Sequence, residues 1–520
     1  MGSILSKEKK TMKKQLSMLF ALLLAGQALL ACGGDTKSNN EQETNSVSKE
    51  TETVTEAVTE QPREYADLPE KDFGGADAKI FIAYNVEGGT VNFGVSKNEF
   101  GAEEENGDAI NDARYKRNST VEDQFNVNIV DYDYEEDNGY TPGHDQVRTT
   151  VHKLVMAGDN DYAFMLLPGY TVCKLAQEGS LQDLNDMKNL DFTKPWWDQK
   201  ANKDLTIMNH LFYTTGDIST ADNDATCTVL FNKVLAEQYD LPDIYQLVLD
   251  GKWTLDQFYS LCADVSKDLN GDGKYDETDQ YGAMVWDDIA MAVVNSTGDK
   301  CATVGDDGSV VLTLNNERTI SALDRYIEFG RDTTQCFQYQ RAVDTSDTVA
   351  INMFSGNQVL FFMQLMQIVP KLRDMEADFG IIPFPKFDEA QDSYYNTVGS
   401  WHSVFFCMPM GTADQEMSTI LAEALACEGK YTVTGAYYDM NLKTKAARDE
   451  QSSDMLDIIF DTRVYDLGWY YQFGMYNEEV MNLVRLNHAA GQFTSMYEKY
   501  AKKANKELSK LNEAFAAFEG

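Results

Sequence analysis

Twelve residues, Asp268-Leu269-Asn270-Gly271-Asp272-Gly273-Lys274-Tyr275-Asp276-Glu277-Thr278-Asp279, carry the densest chemistry in the chain. Side-chain oxygens stand at positions 1, 3, 5, 9 and 12, with a glycine at 6. That spacing suits Ca²⁺, a hard cation that is wrapped by oxygens and needs a sharp turn at the sixth residue. Asp268, Asn270, Asp272, Asp276 and Asp279 are the expected side-chain ligands, and Lys274 offers its backbone carbonyl. Position 12 is Asp rather than Glu, and Gln280-Tyr281-Gly282 leads into a strand instead of a second helix. The alternative is a plain acidic turn. Other chemistry is sparse. The histidines, at 144, 152, 210, 402 and 488, show no HExxH or paired metal spacing. No GxSxG, P-loop or GxGxxG in a strand–helix setting occurs. An acid–base pair drawn from the 84 carboxylates stays open, since such pairing is spatial.

The cysteines divide by position. Cys32 closes the run Leu29-Leu30-Ala31-Cys32-Gly33, behind Met12-Lys13-Lys14 and an apolar stretch from Leu16 to Leu30. The stretch fits a secretory signal and is too short to span a bilayer. Residues 1–32 resemble a bacterial lipoprotein signal, in which Cys32 takes a diacylglyceryl group. The Met1-Gly2 start also fits an N-myristoylation pattern, which the export segment makes accidental. Residues 33–62 are rich in Ser, Thr, Asn and Glu without an aromatic, and read as a disordered tether. The expected location is the extracytoplasmic face of the bacterial membrane. External calcium makes any Ca²⁺ there structural rather than a switch. Seven further cysteines, without CxxC, are an odd number that cannot all pair internally. Cys227, Cys262, Cys407 and Cys427 sit in apolar contexts and read as small core residues.

The elements that position these residues alternate. Strands are expected at Ala78–Ala83, Asn126–Val130, Tyr162–Leu167, Leu211–Thr215, Thr226–Phe231, Tyr281–Trp286, Val359–Met363, Phe379–Ile382 and Val404–Met408. Helices are expected at Asp108–Gln124, His144–Met156, Leu255–Lys267, Glu317–Phe329 and Asp414–Cys427, and Leu456–Phe518 reads as largely helical. Strands this apolar predict an α/β fold with mostly parallel sheets covered on both faces. No internal sequence repeat is visible.

Five segments in order carry a resemblance: Asp191–Trp197, Phe231-Asn232-Lys233-Val234-Leu235, Gly251–Phe258, Phe379–Lys386 and Arg448–Gly468. Together they resemble the extracellular solute-binding proteins of bacterial ABC importers, family 1, the sugar-binding group, from about Leu68 to the end. The resemblance implies a periplasmic-binding-protein-like fold: two α/β lobes, a hinge, an interlobe ligand cleft and a helical C-terminal region. Lobe one is placed at 63–225 plus 397–445, lobe two at 226–396 plus 446–520. Ligands of open α/β sheets sit beyond the carboxyl ends of strands. Sugars call for aromatic faces and hydrogen-bonding Asp, Asn and Gln there. Tyr84, Asn85, Tyr170, Asp217, Trp286, Asp287, Gln364, Trp401, Trp469 and Tyr470 are the candidates, with Ser219 and His402 beside them. Trp196 and Trp197 are adjacent, so at most one needs to face a core. Trp253, beside the helix cap at Thr254, reads as structural.

The chain has 520 residues and a net charge of −40, from 44 Lys and Arg against 84 Asp and Glu. Seven acids and two lysines in the tether account for little of it. Such a body disfavours nucleic acid and other polyanions, and a neutral ligand fits it. The expected function is a monomeric, lipid-anchored binder without catalysis that delivers a carbohydrate to an ABC permease. The alternatives are a surface glycoside hydrolase or lyase and a glycan-holding adhesin; peptides or amino acids stay open as ligands.

Overall fold

The computed structural model describes residues 63–83, 85–87, 90–93, 99–134, 143–158, 161–339, 347–443 and 450–518. The signal, the tether, Cys32, Tyr84 and the side chain of Asn85 lie outside the described residues. Apolar runs become strands where turns or helices free both their faces for cover. In chain order these are β1 (Ala76–Ile82), β2 (Asn85–Glu87), β3 (Thr90–Phe93), β4 (Val127–Asp133), β5 (Tyr162–Pro168) and β6 (Tyr213–Thr214). They continue as β7 (Cys227–Asn232), β8 (Tyr281–Val285), β9 (Ala302–Val304), β10 (Val310–Leu312), β11 (Cys336–Gln338) and β12 (Val359–Leu365). The last are β13 (Phe379–Ile382), β14 (Asn396–Thr397), β15 (Val404–Cys407) and β16 (Arg463–Val464).

Two five-stranded sheets organise the chain, in the orders β4-β1-β5-β15-β6 and β11-β8-β12-β7-β13. In the first, β1 is parallel to β4 and β5, and β15 is antiparallel to β5 and β6. In the second, β8 is parallel to β11 and β12, and β7 is antiparallel to β12 and β13. The expectation of mostly parallel sheets is therefore corrected: both are mixed. The cause is the crossing chain. β7 enters the second sheet directly after the first sheet's β6, and β15 enters the first after the second sheet's β13. Each inserts as the one reversed strand. Setting aside the small β2–β3 hairpin, each sheet then has the same order: second, first, third, inserted strand, fourth. This is a repeat of topology that the residues themselves do not display.

The crossing segments lie side by side. Thr226 bridges Val398, and β14 pairs in parallel with β16. Gly399 N–H donates to Ala225 O at 2.8 Å, and Val398 N–H to Val464 O at 3.0 Å. Backbone hydrogen bonds thus join three passages of the chain into one ribbon. The strands β5, β7, β8 and β12 are almost entirely buried, as a sheet covered on both faces requires. The helix Gln415–Tyr431 packs on β5, whereas Glu450–Asp461 packs on β13. The seven cysteines at 173, 227, 262, 301, 336, 407 and 427 are all buried. No helix among the described residues is long and apolar enough to cross a membrane.

Candidate functional site

Strand ends from both sheets converge beside the ribbon. β5 ends at Pro168, and the helix Gly169–Gln177 starts at once, which sets Tyr170 at the strand's carboxyl end. A Cβ on Gly169 would lie 2.9 Å from Ser400 O and from the Tyr470 ring, so only glycine fits this turn. The Tyr170 hydroxyl is 3.0 Å from Ser400 Oγ and accepts from Asn477 Nδ2 at 3.0 Å. Two further rings surround it: Trp401, just before β15, at 5.9 Å, and His144, at the start of the helix His144–Ala157, at 5.1 Å. His144 and Trp401 meet edge-on at 4.6 Å. Trp401 remains 41% exposed, an open ring face at the mouth of the site.

The second sheet supplies the opposite half. β8 ends at Val285 and hands over to Trp286, Asp287 and Asp288 before the helix Ile289–Ser296. Trp286 lies 5.0 Å from the His402 ring and 6.4 Å from the Tyr339 ring, the latter nearly parallel at 22°. Trp401 and His402 are consecutive, so one crossing segment contributes a ring to each set. Beside Trp286 and His402 lies a cavity of about 10 Å³, lined also by Asp288, Met291, Ser400 and Trp469 among others. That is about one water.

The charges here are arranged unevenly. Burial holds the His144 and His402 imidazoles down at about 3, so both are neutral at physiological pH. Arg485 binds both Asp287 and Glu478. Asp288 sits at a helix start without capping it; its backbone carbonyl accepts from Met291 N–H at 2.9 Å, while its carboxylate is in no hydrogen bond or ion pair among the described residues. Burial first, then the neighbouring Asp287 carboxylate, raise its pKa well above the usual carboxylate range.

The sequence candidates separate on this geometry. Tyr170, Trp286, Asp287 and Trp401 come together at the strand ends. Trp469 forms part of the cavity wall, with its indole donating to Asn295 Oδ1 at 3.1 Å. Gln364 is buried one layer back and donates to Tyr339 OH at 2.9 Å. Tyr470 corrects its expectation: it is wholly buried against Phe405, with its hydroxyl donating to Val398 O, and lines no open surface. Asp217 lies elsewhere, accepting from Thr434 Oγ1 at 2.6 Å on a cavity of about 520 Å³ at the edge of the ribbon. There Arg463 binds Asp198 at 2.7 Å and Asp222 at 2.8 Å, and burial pushes Asp222 up to about 6. Trp196 and Trp197 are both core residues, because Glu423 accepts from both indoles, at 3.0 and 2.9 Å. Trp253 is buried as expected, donating to Pro383 O.

Sequence reasoning missed Tyr339, His144, Asp288 and Arg485. Tyr339 follows β11, whose three residues are too few to show a period. Asp288 was within reach, since it directly precedes a helix and adjoins a candidate.

In the twelve-residue loop the side-chain oxygens bond to loop amides. Asp268 accepts from Gly271 and Gly273, Asn270 from Asp272, Asp272 from Lys274, Asp276 from Thr278, and Asp279 from Leu269 and Asp276. Gly271 and Gly273 take φ of 72° and 79°, the turn the motif needs. No group of three His, Cys, Asp or Glu side chains is gathered for a metal among the described residues. The side-chain oxygens of the loop are turned to its own backbone.

No protein-family model matches the chain, and no curated protein matches it. Solved structures do match. An ABC substrate-binding protein from Listeria monocytogenes in complex with cycloalternan aligns at TM-score 0.51 and 11% identity, over 85% of this chain and 99% of that one. The galacto-N-biose/lacto-N-biose I-binding protein of the ABC transporter from Bifidobacterium longum aligns at 0.52 and 9%, over 85% and 99%. The maltose/maltodextrin-binding domain of Bdellovibrio bacteriovorus, bound to maltotriose, aligns at 0.51 and 12%, over 83% and 100%. The fold is that of the two-lobed solute-binding proteins. In that frame the two sheets are the cores of the lobes, and the ribbon is where the chain crosses between them.

Proposed function

We propose that this chain is an extracellular solute-binding protein that captures a carbohydrate between its lobes and delivers it to an ABC permease. The observation that carries the reading is the gathering of rings at the strand ends, Trp401 and Tyr170 on one sheet and Trp286 and Tyr339 on the other. Ring faces from both sides sandwich the C–H faces of a saccharide, and Asp287, Asp288 and the Trp286 indole receive its hydroxyls. The cavity of about 10 Å³ is far below the several hundred Å³ of a small-molecule site. Entry therefore requires the lobes to part, with the ribbon as hinge. Solved structures of the same fold hold cycloalternan and maltotriose, which supports a saccharide. The Cys32 lipobox supports an anchor on the outer face of the membrane, and the tether spaces the body from it. We also assign a structural Ca²⁺ to the loop at 268–279, on its motif and its glycine turns. A thermal-shift screen of the chain against a glycan panel tests the main reading. Stabilisation by at least one saccharide, without release of reducing ends on long incubation, is expected. Stabilisation by amino acids or peptides alone would overturn it, and so would hydrolysis.

A further inference from the structure

We infer that the ligand of the cleft carries a protonated amino group, received by the Asp288 carboxylate inside the rings of Trp286, His402 and Trp469. This rests on the reading of the cleft as a carbohydrate site and narrows it to amino-bearing saccharides. Charge comes first. Among the described residues the ionisable side chains of this floor are Asp287, Asp288, Glu478 and Arg485. Arg485 is already taken by Asp287 and Glu478. Lys371, whose field also reaches His402, is exposed on the turn Met366–Leu372. Asp288 is thus a half-buried carboxyl group without an ion-pair partner among the described residues, held toward its neutral form, and an occupant that brings a cation favours its ionised form. Neutral hydroxyls do not bring it.

The walls suit the same occupant. Aromatic faces attract a cation through their quadrupoles, most strongly for tryptophan. Trp286, His402 and Trp469 enclose the cavity that Asp288 opens into. The histidines are neutral, so they do not repel a cation. His402 is only 9% exposed, and its Nδ1 has no hydrogen-bond partner, nor has Trp286 Nε1. The first offers an acceptor to an ammonium in its suitable tautomer; the second offers a donor to a neighbouring hydroxyl. The cavity's size also agrees: with the lobes as they stand it admits one small polar group rather than a sugar ring.

Calorimetry of the full chain separates the outcomes, with three tetrasaccharide probes of one linkage: a glucosamine tetramer, its fully N-acetylated form, and the glucose tetramer. The glucosamine tetramer is expected to bind at least tenfold more tightly than both others, and Asp288→Asn to abolish that preference. The comparison between probes is made on the parent protein, so it stands even where the variant is unstable. Equal or tighter binding of either uncharged probe overturns the amino-group inference and leaves the carbohydrate reading intact. Choline serves as a fourth probe, and its binding with none of the saccharides keeps the cation site and overturns the carbohydrate reading. Binding of no probe overturns the inference.

Discussion

Single side chains decide affinity and its dependence on conditions. Trp286 presents its ring between Tyr339 and His402 at the end of a fully buried strand. Truncating such an anchored aromatic removes a centre of binding energy. Trp286→Ala is expected to weaken the saccharide by about 2 kcal/mol, roughly thirtyfold, read by calorimetry. His402 bears on stability. Its imidazole is held at about 3 by burial, with His144 and Lys371 adding to the effect. The unfolded chain takes up a proton below its ordinary value near 6.5, while the native state stays neutral. The stability gained from the neutral form is therefore present above 6.5 and lost as pH falls toward 3. Between pH 7 and 5 a group of this kind loses about 2 kcal/mol. His402→Phe is expected to lose less stability than the parent over that interval in denaturant titrations, and an identical slope would contradict the buried neutral histidine. Aromatic candidates were legible in the sequence by type, but their facing was not. Trp286 and Trp401 meet open space, whereas Trp196, Trp197 and Tyr470 have the same chemistry and lie in the core. Only the partners distinguish them, and Glu423, which accepts from the two indoles, is more than 220 residues away in the chain.

Elements position those side chains. Long apolar strands such as β5 and β12 were legible because six and seven buried residues in a row leave a clear signal. The paired strands of the ribbon were not, because β14 and β16 have two residues each and gain their order from one another. Beside that pair Arg463 holds Asp198 and Asp222. Removing one partner of a buried ion network leaves the others uncompensated. Arg463→Met is expected to destabilise the protein by about 3 kcal/mol in denaturant unfolding. The loop at 268–279 was legible as a motif from its spacing alone. With Ca²⁺ its carboxylates have a cation to share, and the folded state gains from binding. Millimolar Ca²⁺ is expected to raise Tm, and Asp268→Asn to remove that response; equal Tm with Ca²⁺ and with chelator would refute the assignment.

At the scale of the whole molecule the two sheets share one strand order, with a reversed strand lent by the neighbouring lobe. That exchange makes the chain cross between lobes and places the crossings at the strand ends where the rings gather. The resemblance in the sequence pointed to two lobes and a cleft, but the repeat is invisible in the residues because packing demands only apolar strands of the right length. Nearly all of the chain's net charge of −40 is spread over this body, so it steers polyanions away from the cleft, while one carboxylate inside it has no ion-pair partner among the described residues. The central claim is closure on a saccharide, and small-angle scattering of the chain with and without the saccharide that stabilises it tests this most directly. A smaller radius of gyration on binding, with the saccharide recovered uncleaved, is expected. An unchanged radius at saturation, or a cleaved saccharide, would contradict a binding protein that works by closing its lobes.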